Sequence, residues 1–422
     1  MEEQKLEEYK KNNIKIYKLY RIFSWDLLFY YAIIYLFLIA EKGLTPALFL
    51  QFDAFYIFFK FIVQIPCTLL IQKFGKRDSI VFANLIGIIH MLLIIFAVNY
   101  QMLILSQLLC AVTFIIRGTC ETDMLYDSLE HDEERGNKFA KIDGKANSRY
   151  YYVDAIFAVI SGFLFIVNPY IPMALSCVTL IITYILSLKF KEIHPGKTKM
   201  HVREEMKILR EGMRGIFRSR RLMCLVLFNA VVVGMFKIIQ NVRNTALLDA
   251  GLPEQYFGIV FAILGIVSGI FARNQGRIHK RHRNKTLGYI SLPAALSCVL
   301  IGLVLILKLP SEISIMLIIL LLVRVYSNKG PYHILIKKYL NNFTNSEKRI
   351  RIATINNIFE NGIASILIFG ASIILDNIQP SFTIFIIGCI FMALITLFLD
   401  YMREKVGLKP EEYSDKEILK NS

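Results

Sequence analysis

The sequence is poor in charged residues, in tryptophan and in clustered metal-binding side chains. Of its 422 residues 19% are charged and one is Trp, and the seven Cys lie in apolar stretches without CxxC spacing. A soluble chain of this length would be more polar, and scattered thiols indicate neither a disulfide framework nor a zinc site. The seven His are dispersed too, apart from His279 and His282. A membrane enzyme, which would need a converging cluster of reactive side chains, is therefore disfavoured.

Long apolar runs are the dominant feature of the chain, which is 55% apolar and 13% aromatic. The runs are continuous rather than alternating, which favours helices over a β-barrel, and about 20 helical residues cross a bilayer. We predict an all-α membrane protein with twelve transmembrane helices. They lie over residues 24–40, 47–71, 79–98, 102–125, 150–167, 171–188, 222–240, 255–274, 286–307, 312–336, 352–375 and 380–399.

The distribution of Lys and Arg predicts the topology, because cationic loops remain on the cytoplasmic side. Most of the 49 Lys and Arg fall between alternate runs, and the loops assigned to the outside hold Lys42, Arg243 and Lys308. We expect a multi-pass protein of the cell membrane with both termini cytoplasmic and no secretory signal peptide. The formal charge of +16 is spread over loops that flank the membrane, which indicates contact with anionic lipid rather than nucleic acid.

A long basic stretch divides the chain into two halves. We predict an N-terminal six-helix bundle over 1–188, a cytoplasmic linker over 189–221, a C-terminal six-helix bundle over 222–400 and a cytoplasmic tail over 401–422. Short basic turns follow the second and the eighth run, so the halves echo one another. Two pseudo-symmetric bundles suggest a carrier that works by rocking of its halves about a central site.

The turn after the second run resembles a known signature. The segment "IPCTLLIQKFGKRD" is similar to the motif that the major facilitator superfamily carries at this place. Residues that fit the motif are Pro66, Gly75, Lys76 and Arg77. Thr68 stands where the family prefers Gly, and Gln72 where it prefers Asp. In the family this acidic residue helps to hold the outward-facing state by charge contacts, so the resemblance implies a weaker latch here.

Two further segments resemble a bacterial branch of the same superfamily. "RGTCETDMLYDSL", beginning at Arg117, carries the branch's pattern after the fourth helix in Tyr126 and Asp127, and "RIRIATINN", beginning at Arg349, is similar to its entry into helix eleven. The resemblance extends over nearly the whole chain. It implies the fold of that superfamily and secondary active transport of a small molecule by alternating access. It also implies a proton gradient as the energy source, no cofactor or metal, and a monomer surrounded by lipid.

Ionisable residues inside apolar runs are costly in lipid and normally face a cavity or a partner. The candidates for a substrate or proton pathway are Lys60, Arg117, Glu121, Arg324 and Glu360. Glu360 is the best candidate for a proton carrier, since desolvation favours the protonated form of a carboxyl group. The alternative for Arg117 and Glu121 is a structural ion pair at i, i+4. Lys237, near the end of its run, is expected to extend toward the outer surface.

The direction of transport is open between two possibilities. Aromatic residues crowd the first two runs, which suits proton-coupled efflux of a drug-like or amphipathic metabolite, although the glycine-proline signature of many drug antiporters is missing from run five. The alternative is proton-coupled uptake of a small anionic solute, favoured by Lys60, Arg117 and Arg324.

In run eight, "GIVSG" predicts a close approach of helices at Gly265 and Gly269.

Overall fold

The chain is all-helical in a computed structural model that describes residues 2–130, 134–193, 220–282, 285–342 and 346–405 and the positions 210, 213, 214 and 217. Within this part of the chain there are fourteen α-helices and one 3-10 turn. The helices are α1 Glu2–Ser24, α2 Ile34–Ala40, α3 Pro46–Phe74, α4 Lys76–Phe96, α5 Tyr100–Asp127, α6 Arg135–Val167, α7 Tyr170–Leu188, α8 Arg220–Asp249, α9 Phe257–Arg273, α10 Gln275–His282, α11 Thr286–Ile306, α12 Ser311–Asn342, α13 Ser346–Asn377 and α14 Pro380–Lys405, and the 3-10 turn is Glu254–Tyr256.

Eleven helices in the described residues have the length and apolar composition that a bilayer crossing requires. They coincide with the second to the twelfth predicted runs, because a continuously apolar segment can satisfy its backbone in lipid only as a helix. Local signals fix some ends. Asn99, for example, accepts a hydrogen bond from the Met102 backbone N–H at 2.9 Å and so caps the start of α5.

The first predicted span does not form a continuous helix over 24–40, and that prediction is wrong. Helix α1 ends at Ser24, turns follow, and the short α2 begins at Ile34. Phe29 has a φ of 64°, a left-handed conformation that interrupts a right-handed helix. Its ring stacks on Phe157 at a centroid distance of 4.3 Å, so side-chain packing holds the break in place. Non-helical backbone at such a position is tolerated when it is buried in protein.

Two compact units make up the chain. The first unit contains 1–43, 55–202 and 254–262, and the second contains 44–54, 203–253 and 263–422. The predicted linker 189–221 and tail 401–422 lie mostly outside the described residues. In the first unit, α1 contributes Ile16, Tyr17 and Tyr20 to an apolar core shared with α4, α5 and α7. The charged N-terminal segment is thus a packed helix.

The second unit is held together by a close approach of α11 and α14. A Cβ atom at Gly302 would collide with the backbone of Phe385, and one at Gly388 would collide with the backbone of Val299. At Gly265 and Gly269 an added Cβ would meet no atom of the described residues within 4 Å. The close approach that "GIVSG" predicts occurs at Ser268, because a Cβ atom at Gly330 would collide with the Ser268 backbone oxygen; the glycine that permits it lies in α12 and not in the segment itself.

Arg243 was predicted to lie in an outer loop after run seven, and that prediction is wrong. Helix α8 continues to Asp249, nine residues beyond the predicted end at 240, and Arg243 is buried within it. Its guanidinium donates to the Tyr326 hydroxyl and to Asn244 Oδ1. The polar residues of this stretch form hydrogen bonds inside the fold. A hydropathy scale counts only their polarity and therefore ends the span too early.

Candidate functional site

The two signature segments of the first unit contact one another. Gly75 joins α3 to α4 with a φ of 86°, a conformation that glycine adopts without strain. The next residue, Lys76, donates from Nζ to Asp127 Oδ2 at 2.5 Å and lies 3.8 Å from Asp123 Oδ2. The Lys76–Asp127 ion pair therefore ties the turn after α3 to the end of α5.

The remaining motif side chains fasten the same region of the first unit. Arg77 donates from its backbone N–H to Glu192 Oε2 at 2.8 Å and from Nη2 to the Leu188 carbonyl oxygen at 3.3 Å. The Tyr126 carbonyl oxygen accepts from Arg135 Nη2 at 2.6 Å, and the Arg135 guanidinium lies 4.0 Å from the Tyr126 ring centroid. Pro66 and Gln72 lie within α3. These contacts connect the helix ends that the predicted topology assigns to the cytoplasmic side.

Glu121 is the centre of a buried polar cluster built by α1 and α5. Its Oε1 accepts from Tyr20 Oη at 2.8 Å and from Arg117 Nε at 3.1 Å. Its Oε2 accepts from Arg21 Nη1 and from Ser24 Oγ, the latter at 3.1 Å. The carboxylate thus has four donors, two of them guanidinium groups, and is 1% exposed. The carboxylate therefore joins α1 to α5 through hydrogen bonds and ion pairs.

The cluster extends from Tyr20 and Arg21 to further helices of the first unit. Asn84 of α4 donates to the Tyr20 hydroxyl oxygen at 2.9 Å. Arg21 also lies 3.7 Å from Asp143 Oδ1 of α6, which accepts from Tyr17 Oη at 2.6 Å. The Tyr17 hydroxyl is the donor in this hydrogen bond. The network joins four helices through polar contacts inside the protein.

The i, i+4 ion pair of Arg117 and Glu121 that the spacing predicts is confirmed, yet it uses a single nitrogen of Arg117. Both terminal nitrogens, Nη1 and Nη2, are buried and have no hydrogen-bond partner within the described part of the chain. The guanidinium also lies 5.3 Å from the Phe114 ring centroid. The ion pair therefore accounts for one edge of this side chain. The other edge has no hydrogen-bond acceptor in the described residues, although Tyr20 and Asp26 interact with the guanidinium electrostatically.

Lys60 lies on α3, one turn after Tyr56, with Nζ 5.1 Å from the Tyr56 ring centroid. The Tyr56 ring packs edge-on against Phe114, at 6.3 Å between centroids. The structure thus places Lys60 and Arg117 at the two ends of one row of side chains: Lys60, Tyr56, Phe114 and Arg117. We refer to these four residues as the cation–aromatic row.

Glu360, on α13 in the second unit, has a different environment. Its Oε2 accepts from Asn229 Nδ2 at 3.2 Å. Asn229 also donates to Asn356 Oδ1 at 3.1 Å and accepts from the Tyr332 hydroxyl at 3.3 Å. Among the residues that the structure describes, no cationic nitrogen lies within 4.0 Å of the Glu360 carboxylate. The hydrogen bond to this acid therefore comes from a neutral amide, and Lys237 acts on it electrostatically from beyond 4.0 Å.

Lys237 does not extend toward the outer surface, so that prediction is wrong. Helix α8 continues beyond it, and its Nζ donates to Asn361 Oδ1 at 3.3 Å. Lys237 also interacts electrostatically with Glu360 and with Asp53. Asp53 Oδ2 accepts in turn from Asn241 Nδ2 at 2.7 Å. The second unit thus brings two acids and one lysine into one polar region, linked through amides.

Arg324 contacts a different set of side chains. Its guanidinium lies 5.5 Å from the ring centroid of Tyr289, which is an exposed residue of α11. The same ring stacks on His282 at 3.7 Å. The pathway role predicted for Arg324 stays a prediction.

Sequence reasoning missed three groups that the structure places at these clusters. Tyr20 and Arg21 lie in a segment that looked like a charged tail, and Asn229 is a neutral residue in an apolar run. The sequence contained a signal for Arg21 alone. It is a basic residue just before the first predicted span, and Glu121 within the fourth span needs a cationic partner. Nothing in the sequence distinguishes Asn229 from other amides in apolar helices.

The class of protein follows from these features: a polytopic helical membrane protein with ionisable groups buried inside its spans, as solute carriers have. The family follows from a comparison of sequences. Residues 20–366 match the model of the Major Facilitator Superfamily, and the chain belongs to that family. It is therefore a membrane transporter and not an enzyme.

Individual relatives are distant. An uncharacterized MFS-type transporter, YxaM of Bacillus subtilis (strain 168), is 24% identical over 241 residues, which make up 55% of this chain and 58% of that protein. The match thus spans less than two thirds of the relative's length. The crystal structure of the nucleoside transporter NupG has a TM-score of 0.75 at 10% identity, over 94% of this chain and 100% of that one. A D-xylose–proton symporter has a TM-score of 0.67 at 12% identity, over 92% and 97%. At these identities the likeness shows the fold alone.

Proposed function

We propose that the chain is a proton-coupled secondary active transporter that moves a small solute by alternating access. In this proposal it crosses the cell membrane twelve times, as two six-helix bundles with both termini in the cytoplasm, and acts as a monomer. The interrupted segment from α1 to α2 forms the first crossing. Neither a cofactor nor a metal takes part, and the proton gradient provides the energy.

The environment of Glu360 is the observation that carries proton coupling. A carboxylate bound by guanidinium groups loses strong interactions when it is protonated, whereas one bound by an amide loses little. Glu360 accepts a hydrogen bond from the amide of Asn229, at 3.2 Å. It also lies in a helix that is apolar enough to span the membrane. A proton can therefore bind and leave here without breaking a close ion pair.

Export of an amphipathic metabolite by proton antiport is the direction we propose. Two features support it: the resemblance of "RGTCETDMLYDSL" to a bacterial branch in which such export is common, and the aromatic residues of α3, among which Phe55 and Phe59 stack at 5.9 Å. The structural neighbours include a nucleoside transporter and a sugar symporter. Proteins of this fold thus also transport small polar solutes.

Uptake of a small anionic solute is the second candidate. The observation that favours it is the pair of buried Arg117 nitrogens that have no acceptor in the described residues. An anion would supply the missing acceptor. The two candidates differ in the sign of coupling, and the sign can be measured.

Transport by proteoliposomes tests the proposal. A thermal-shift screen of the purified protein against metabolites and drugs supplies a ligand, because a ligand of the folded state raises its apparent stability. Accumulation of that ligand driven by an acidic lumen indicates antiport, and accumulation driven by an acidic exterior indicates symport. We expect the wild-type protein to show the first behaviour and Glu360→Gln to accumulate nothing under either gradient.

Exchange of labelled for unlabelled ligand separates coupling from folding. Glu360→Gln should keep this exchange, which needs no net proton movement. Glu312→Gln is the matched control, because it removes an exposed carboxylate at the start of α12, and it should behave as the wild-type protein. Gradient-driven accumulation by Glu360→Gln at the wild-type level would remove Glu360 from the mechanism.

A further inference from the structure

The Nη1–Nη2 edge of Arg117 is buried and has no hydrogen-bond acceptor in the described residues. A guanidinium has five N–H donors, and burial of polar groups without an acceptor costs free energy. In Arg117 the Nε edge is bonded to Glu121, whereas Nη1 and Nη2 are buried without an acceptor in the described residues. The Nη1–Nη2 edge is one that binds a carboxylate through two parallel hydrogen bonds. Its natural complement is therefore a planar anionic group.

The neighbours of this edge define a second feature of the complement. Phe114 lies 5.3 Å from the guanidinium and packs against Tyr56, and Lys60 stands at the far end of the cation–aromatic row. Aromatic rings bind other rings by edge-to-face and offset stacking. Lys60 adds a second positive charge to the row, and one acid, Asp26, interacts electrostatically with both cations, so two positive charges face one carboxyl group. A ligand that matched the row would join an aromatic ring to an anion.

We infer that the cation–aromatic row is a substrate subsite for an aromatic carboxylate, with the carboxylate on Arg117 Nη1 and Nη2 and the ring against Phe114 and Tyr56. The inference rests on the proposed transport function and names its substrate class. It holds for either direction of transport. A neutral ring of the same shape would leave both nitrogens without an acceptor, and sites built to hydrogen-bond a ligand discriminate strongly against analogues that lack the bonding group.

Calorimetric titration of the purified full-length protein tests this subsite without any gradient. The probes are 2-naphthoate, its neutral analogue 2-naphthamide, and acetate, which has the carboxylate without the ring. We expect 2-naphthoate to bind. The amide should bind at least about tenfold more weakly because it lacks the charged acceptor, and acetate should bind at least about tenfold more weakly because it lacks the ring that packs on Phe114 and Tyr56.

Substitutions then assign the binding to the row. Arg117→Gln should weaken 2-naphthoate about tenfold or more. The variant is expected to fold, because Glu121 keeps Arg21, Tyr20 and Ser24 as donors. Phe114→Leu keeps the charge and removes the ring, and should weaken 2-naphthoate about threefold to tenfold. Arg243→Gln, which removes a buried Arg of the second unit, should leave the affinity unchanged.

Several results would overturn the inference. They are absence of 2-naphthoate binding at millimolar concentration, equal binding of 2-naphthamide or acetate, and wild-type affinity in Arg117→Gln. If Arg117→Gln does not purify as a folded monodisperse protein, the three probes and Phe114→Leu decide the question. Failure here leaves proton coupling through Glu360 intact, because that test uses whichever ligand the screen supplies. Loss of coupling would conversely leave a measured 2-naphthoate affinity standing.

Discussion

Two glutamates in apolar helices, one in each unit, have opposite surroundings. Glu121 in the first unit accepts four hydrogen bonds, two from arginines, and is 1% exposed. Glu360 in the second unit accepts from an amide, and the described residues place no cation within 4.0 Å of it. The residue type and the membrane setting are the same, so the difference lies in the partners.

A buried carboxylate is not by itself a sign of proton transport. Removing the charge of a paired buried acid leaves its cations uncompensated, which is costly, whereas removing the charge of an amide-bound acid is not. Glu121 is therefore suited to fix α1 against α5. For Glu360, which accepts from an amide, proton coupling is the role that we propose.

The largest expected effect is on stability. Glu121→Gln should lower the free energy of unfolding by about 3 kcal/mol, because two buried arginines lose their counter-ion. Glu360→Gln keeps a hydrogen-bonding side chain and should change it by no more than about 1 kcal/mol. Thermal unfolding of the purified variants in one detergent gives the order of the two. Equal melting temperatures for the two variants would contradict the difference in pairing between Glu121 and Glu360.

The ion pair of Lys76 and Asp127 lies nearer the surface than the Glu121 cluster. The Lys76 and Asp127 side chains are 29% and 21% exposed, so solvent screens their attraction and the pair should contribute about 1 kcal/mol or less. A double-mutant cycle of Lys76→Gln and Asp127→Asn, followed by thermal unfolding, measures the coupling. High salt should diminish it.

A control for this cycle uses Asp123, which lies 3.8 Å from Lys76 and is 55% exposed. Its coupling to Lys76 should be smaller than that of Asp127. A coupling between Lys76 and Asp127 as large as the loss in Glu121→Gln would contradict the distinction between buried and screened charges.

Much of the fold was predictable from hydropathy, and the failures have a physical pattern. Eleven of the predicted runs are helices, because continuous apolar sequence in lipid leaves the backbone no alternative. The prediction of a continuous first helix was wrong because the packing of Phe29 on Phe157 determines the local conformation, and the sequence alone does not show that contact. The end of α8 failed because Lys237 and Arg243 find partners inside the fold, where a hydropathy scale assumes water.

The candidate site was predictable in its charges and not in its pairings. The spacing of Arg117 and Glu121 predicted their contact, which is local along one helix. The contacts of Glu121 with Arg21 and of Glu360 with Asn229 join residues 100 and 131 positions apart. Only the packing of helices brings these together. The sequence therefore identified the acids and bases, and the structure was needed to show which acid pairs with arginines and which accepts from an amide.

The smallest effect concerns Gln72, where the family's motif has an acid. Restoring the charge by Gln72→Asp should favour the outward-facing state that this acid helps to hold in the family, by about threefold in population, which is the size of one screened ion pair. Cysteine labelling from each side of the membrane measures it, with Lys60→Cys as reporter and the exposed Cys389 replaced by Ser. Gln72→Asn, which changes the side chain without adding charge, should leave the labelling ratio unchanged. An identical ratio in Gln72→Asp would mean that the role of the family's acid does not carry over to this chain, and that its latch depends on contacts such as Lys76 with Asp127 alone.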